Sequence, residues 1–172
     1  MMNPVMESLL TRRSIRKYED RQVTNADLDA VLNAGLYAAS AMNQQNTVMV
    51  AVRDKELRDE LSRRNAAVMN GTSDPFYGAP CAVVVFAKDD ENGIKDGSLV
   101  MGNLMEAANA IGLGSCWINR PRQMFVTPEG KELMEKWGVP EDYAGIGICA
   151  LGYPAENPEA KPRKEGRIIK IG

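Results

Sequence analysis

Two clusters of basic residues frame this chain's chemistry. Arg12-Arg13-Ser14-Ile15-Arg16-Lys17 lies near the start, and Lys161-Pro162-Arg163-Lys164, followed by Arg167, lies near the end. If residues 12–16 are extended, the period of two puts Arg12, Ser14 and Arg16 on one side and Arg13 and Ile15 on the other. Two guanidiniums and a hydroxyl suit a phosphate monoester, which Arg grips through its planar fork. The same cations are also favourable at a helix C-terminus with no ligand at all, and on spacing alone both readings stay open. A fold that joins the two clusters would make a pocket for a dianionic phosphate, as on a nucleotide-type cofactor.

Much other chemistry is excluded. The chain has no histidine, which removes Ser-His-Asp and Cys-His catalysis and any metal site that needs imidazole. Cys81, Cys116 and Cys149 are far apart, with no Cys-x-x-Cys pair, so no zinc ribbon or thioredoxin-type site is expected. Each lies in an apolar run and reads as a small buried hydrophobe. Gly145-x-Gly147-x-x-Ala150 spells a dinucleotide fingerprint but falls inside an apolar strand, not between a strand and a helix. Gly112-x-Gly114 ends a helix and reads as a C-cap turn. No P-loop is present. If the protein is an enzyme, its chemistry comes from a bound cofactor or from carboxylates and lysines. We assign no catalytic side chain and no metal ligand.

The elements that must position these residues follow from periodicity and capping. Val5, Met6, Leu9 and Leu10 recur at helical spacing after Pro4. Thr24-x-x-Asp27 opens a helix running to about Tyr37. Val48–Val52 reads as a strand, and Asp54 caps a charged helix with Leu57, Leu61 and Val68 on one side. Residues 70–80 form a loop. Cys81–Ala87 is a strand buried on both faces. Residues 96–111 make a helix apolar nearly all round, expected to lie inside the molecule. Ser115–Ile118 and Ala144–Leu151 read as strands, Thr127-Pro128 starts a helix, and Arg167–Ile171 alternates like a strand. The polar segment Ala38–Asn46, between a helix and a strand, could offer amides to a heterocycle edge. The order lacks regular β-α alternation, so the fold class is α+β in layers.

With 172 residues, one domain spanning 1–172 is expected, its tail 154–172 extended and reaching for a partner subunit. A net charge of −2 argues against a general nucleic-acid binder. No apolar run is long enough to span a bilayer and no signal-type segment opens the chain, so a cytoplasmic protein is expected.

Five blocks in order resemble the FMN-dependent nitroreductase family: Arg12–Tyr18, Ala39–Gln45, Tyr77-Gly78-Ala79-Pro80, Gly112–Ile118, and Leu151–Pro154 leading to Lys161-Pro162-Arg163. The resemblance runs nearly end to end. It implies a three-layer fold, with a central mixed, mostly antiparallel sheet flanked by helices. It also implies a homodimer whose C-terminal segments extend toward the partner subunit, with two FMN sites at the interface. By position, Arg12, Arg13, Ser14 and Arg16 would contact the phosphate and ribityl chain, and Lys161 and Arg163 would complete the phosphate clamp. Ser40 and Asn43 would come from the other subunit. Ile118, Asn119 and Arg120 would lie along the isoalloxazine, with a backbone N–H near its reactive nitrogen. The implied activity is hydride transfer from NADH or NADPH through FMN to a nitroaromatic, quinone or activated alkene, in a ping-pong cycle.

Two departures from the family pattern fall on the substrate side. Gln45-Asn46-Thr47 replaces the usual Gln-Pro-Trp, and Asn119-Arg120-Pro121-Arg122 replaces a glycine-rich stretch ending in acidic residues. Extra cations there would favour an anionic substrate or the reduced flavin. Two other classes remain: a flavin-binding storage or regulatory protein without significant turnover, and an interaction protein whose basic clusters meet an acidic partner.

Overall fold

The structure, a computed structural model, describes residues 3–172. Six helices and four strands follow in the order α1 (Pro4–Thr11), α2 (Asn25–Leu36), β1 (Thr47–Val52), α3 (Lys55–Ala67), β2 (Cys81–Lys88), α4 (Gly93–Ala110), β3 (Gly114–Ile118), α5 (Pro121–Phe125), α6 (Pro128–Lys136) and β4 (Tyr143–Gly152). Local chemistry sets several helix starts. Thr24, Asp54 and Thr127 accept from the backbone N–H of Asp27, Leu57 and Gly130. Asn3 does the same for Val5, with Pro4 in the first turn. Each cap contributes about 1 kcal/mol by satisfying an amide that the helix leaves bare.

The sheet runs β1-β2-β4-β3, and all three pairings are antiparallel. A lone parallel bridge joins Ser14 to Ser115 at one edge. Strands β2 and β4 hold the centre, with Cys81–Ala87 fully buried. Apolar side chains on both sides of a central strand need cover on both faces. One core accordingly packs Phe86, Ile148, Leu61, Phe125 and Met134 beneath α3, α5 and α6. The other packs Val83, Val85, Val31, Met101 and Leu104 beneath α2 and α4. The result is three layers, α+β as expected.

Several expectations are corrected. Helix α3 turns Arg58, Ser62, Asn65 and Ala66 inward together with Leu61, whereas Val68 sits at its C-cap and is partly exposed. Part of its buried face is polar because Arg58 and Ser62 meet Asp74 in the 70–80 loop. Helix α4 is not enclosed: Val100, Met101, Leu104 and Ala108 are buried, but Ile94 and Leu99 face outward. Arg167–Ile171 forms no strand, and every residue from 159 to 172 is exposed. Alternation alone makes no strand where no neighbouring edge is at hand to pair with. Helix α5 and a 3₁₀ turn at Ala41–Asn43 lie in segments too short for periodicity to reveal. Among the described residues, no helix is long and apolar enough to cross a membrane.

Candidate functional site

Helix α1 ends at Arg12, whose backbone is already extended. The chain then runs along the sheet edge: the Ile15 N–H donates to the Ser115 carbonyl at 2.9 Å, and the Ala155 N–H to the Lys17 carbonyl at 2.9 Å. Ile15 is buried against Gly114, where a Cβ would stand 2.9–3.0 Å from its side chain. The start of the chain, the start of β3 and the exit of β4 are thereby stitched together. Between them lies a cavity of about 130 Å³ lined by Arg12, Arg13, Asn109, Ser115, Glu156 and Asn157, among others.

The cavity suits a phosphate in its donors and in its size. Arg12 Nε lies 3.3 Å from Glu106 Oε1, which leaves its buried Nη1 without a partner; the buried Ser115 Oγ also lacks one. Unpaired buried donors are costly, and both residues line the cavity, where an oxyanion could offer them acceptors. The volume is well below the roughly 300–1,000 Å³ of pockets that enclose a whole small ligand. It fits the phosphate end of a nucleotide and leaves the rest outside this chain's own walls. Glu156 opposes an anion: its Oε1 accepts from the Arg16 N–H at 2.5 Å, taking an amide that a phosphate would otherwise use.

The expected site residues do not all meet here. Arg12 and Arg13 line the cavity, although Arg13 Nη1 is engaged by the Leu10 and Arg12 carbonyls at 2.9 and 2.8 Å. The Ser14 backbone forms the bridge to Ser115. Arg16 is exposed and lies over the Tyr77 ring, 5.8 Å from its centroid. Lys161 and Arg163 do not line the cavity; they are exposed, and among the described residues neither makes an ion pair. The two basic clusters are therefore not joined within this chain.

Ser40 precedes the 3₁₀ turn and Asn43 is its last residue. Ser40 Oγ accepts from the Gln45 N–H at 3.0 Å and Asn43 Oδ1 from Gln45 Nε2 at 3.1 Å. Met42, Asn43 and Gln45 all have φ between 51° and 54°, a region side chains avoid. Asp96 Oδ1, on α4, holds this turn through the Ala41 N–H at 3.0 Å.

At the far end of β3, Ile118 is buried and Arg120 adopts φ 78° before Pro121 starts α5. Trp117 Nε1 donates to Asn119 Oδ1 at 2.7 Å, and Asn65 Nδ2 to the Asn119 carbonyl at 2.7 Å. Arg122 is paired with Asp89 at 2.9 Å. Of the two extra cations expected beside the ring, Arg122 is thus largely neutralised. Arg120 makes no ion pair among the described residues.

The three cysteines are free and buried. Burial pushes the Cys81 thiol up to about 12 and raises Cys149 and Cys116 as well. They are protonated packing groups, not nucleophiles.

Sequence reasoning missed Glu106, Ser115, Glu156 and Asn65. Ser115 lies within the Gly112–Ile118 block, but the other three carry no local signal, because each acts across more than fifty residues of chain.

The chain matches the nitroreductase family over residues 9–72 and 64–153. It belongs to that family. A protein of Archaeoglobus fulgidus, assigned by name as an NADH dehydrogenase/NAD(P)H nitroreductase, is 32% identical over 165 residues, covering 92% of this chain and 90% of its own length. The NADPH-flavin oxidoreductase of Vibrio harveyi is 29% identical, covering 98% and 73%. Among solved structures, a nitroreductase with bound FMN from Bacteroides fragilis superposes with a TM-score of 0.91 at 31% identity, covering 99% of this chain and all of that one. The nitroreductase fold thus accounts for the layered α+β architecture.

Proposed function

We propose that this nitroreductase-family chain is an FMN-dependent oxidoreductase that takes reducing equivalents from NADH or NADPH and delivers them to a small acceptor. FMN, when bound, supplies the hydride chemistry. The observation that carries this reading is the cavity with unpartnered Arg12 Nη1 and Ser115 Oγ, in a chain related to an FMN-bound nitroreductase. Arg12, Arg13 and Ser14 would receive the phosphate, with Arg16 beside them. Ile118, Asn119 and Arg120 would face the ring. Nitroaromatics, quinones and activated alkenes are the acceptor classes, and no side chain need act as acid or base.

The same reading makes the protein a cytoplasmic homodimer. Helix α1 has no buried residue, yet carries Val5, Met6, Leu9 and Leu10. Tyr37 and Met42 are more than four-fifths exposed, as are Ile168 and Ile169 in the tail. Apolar surface on that scale argues for a covering partner. A second copy, with the tail reaching across, would bring Ser40 and Asn43 toward the ring and let Lys161 and Arg163 approach the phosphate.

The test is the absorption spectrum of the purified protein, identification of the pigment released on denaturation, and its mass in solution. Released FMN near one per chain, a dimer, and anaerobic NAD(P)H oxidation that depends on added quinone support the reading. A flavin-loaded protein without turnover would favour the storage role. A colourless protein that takes up no FMN would overturn the assignment.

A further inference from the structure

Asn65 sits on α3 and is 1% exposed. Its Nδ2 donates to the Asn119 carbonyl at 2.7 Å and lies 3.2 Å from Met124 Sδ. Its Oδ1 is buried without a partner. A half-satisfied amide in a core is costly, and an apolar side chain of similar shape would pack there without that penalty. Packing therefore does not explain Asn65. Its strongest interaction is its hold on the carbonyl of the Asn119–Arg120 peptide.

That hold has a directional consequence. In a planar trans peptide the C=O and N–H point opposite ways. Pinning the Asn119 carbonyl toward α3 aims the Arg120 N–H at the other side of the turn. No acceptor takes that N–H among the described residues. Two further restraints act on the same unit: Trp117 Nε1 grips Asn119 Oδ1 at 2.7 Å, and Arg120 is held at φ 78°.

We propose that Asn65 is a positioning residue, locking the Asn119–Arg120 peptide so that the Arg120 N–H is presented, already oriented, to the reactive nitrogen of the ring. This rests on the FMN reading given above. A donor fixed in advance pairs with that nitrogen without reorganisation, and does so best in the oxidised ring, before the nitrogen takes up a proton. The amide's own cost in the core is then offset by function.

The experiment compares wild type with Asn65→Leu, which keeps the bulk but loses the donor. FMN affinity is titrated in both oxidation states and the midpoint potential is measured. We expect reduced FMN, whose reactive nitrogen already carries a proton, to bind within about twofold of wild type. Oxidised FMN should bind roughly five- to tenfold more weakly, as the loss of one aligned hydrogen bond implies, and the potential should rise. A variant of lowered Tm but unchanged potential would make Asn65 merely structural and overturn the proposal. If Asn65→Leu does not fold, Asn65→Ser, too short to reach the carbonyl, gives the same readout. Exchange of the Trp117 indole N–H in flavin-free protein, expected to quicken severalfold in the variant, needs no cofactor. Faster exchange in a chain that takes no FMN would sink the cofactor reading and leave the locking of the peptide supported. Unchanged exchange would overturn the locking itself.

Discussion

Arg12 and Glu106 form an ion pair at 3.3 Å that uses only one edge of each group: Arg12 Nη1 and Glu106 Oε2 both remain buried and unpartnered. The carboxylate holds the guanidinium in place without saturating it. A cation placed this way is ready for a second anion and has less rotamer entropy to lose on binding.

Arg12→Ala is therefore expected to weaken FMN binding roughly 10- to 100-fold, the worth of one or two charge-assisted hydrogen bonds. It also strands Glu106 without its counter-charge. Adding Glu106→Gln to Arg12→Ala should recover thermal stability but not affinity. Fluorescence titration with FMN and a melting curve, made on both variants, separate the two effects.

Glu156 works in the opposite direction. Its carboxylate holds the Arg16 amide at 2.5 Å and lines the cavity beside Arg12. Glu156→Gln keeps an acceptor for that amide and removes the charge, so FMN should bind about three- to tenfold more tightly. The gain should shrink as salt is added, since the pair is only partly screened from solvent. Tighter binding that does not respond to salt would point to a steric cause.

The thiols make a prediction about alkaline stability. Burial raises Cys81 from about 9 to about 12 and raises Cys149 in the same sense. An unfolded chain thus loses these protons at lower pH than the folded one. The stabilising contribution is complete below about pH 9 and is lost as pH rises from there toward about 12. Urea midpoints measured from pH 8 to 10.5 should fall accordingly. Cys81→Ala with Cys149→Ala should flatten that slope. Native protein at pH 8 should resist thiol reagents that label it readily once unfolded.

Arg120 adopts φ 78°, which costs a side chain about 1–2 kcal/mol that glycine largely avoids. Glycine's greater freedom in the unfolded chain returns part of this. Arg120→Gly should therefore raise the unfolding free energy by roughly 0.5–1 kcal/mol, read from urea denaturation. Any substrate preference that comes from the lone cation at this turn should be lost in the same variant.

What the sequence disclosed about this fold was local. Thr24, Asp54 and Thr127 cap the helices they precede because a short oxygen side chain reaches the amide three residues away. The run Cys81–Ala87 had to be a central strand, since nothing else buries so many consecutive apolar residues. Gly112 ends α4 at φ 84°, as its place after the last helical residue implied. The layered class followed from such features taken in order, and the family from the resemblance of the five sequence blocks. The site was only half visible. Arg12 and Arg13 could be recognised by type and spacing, but Glu156 meets Arg16 across 140 residues and Asp89 meets Arg122 across 33. No periodicity encodes those encounters. The second basic cluster could be named but not placed, because its segment packs on nothing within its own chain.

Helix α4 carries attachments along its whole length. Asp96 near its start holds the turn at Ala41, and Asn103 in its middle holds the Ala34 carbonyl. Glu106 holds Arg12, and Asn109 near its end holds Ser8. An 18-residue helix is a rod of about 27 Å at ~1.5 Å per residue. The loop bearing Ser40 and the arginine cluster are thus gauged against one ruler. Inserting a single residue midway along α4 would swing one set of grips by about 100° relative to the other. The stretch between Asp96 and Glu106 should accordingly vary in side chains but not in length.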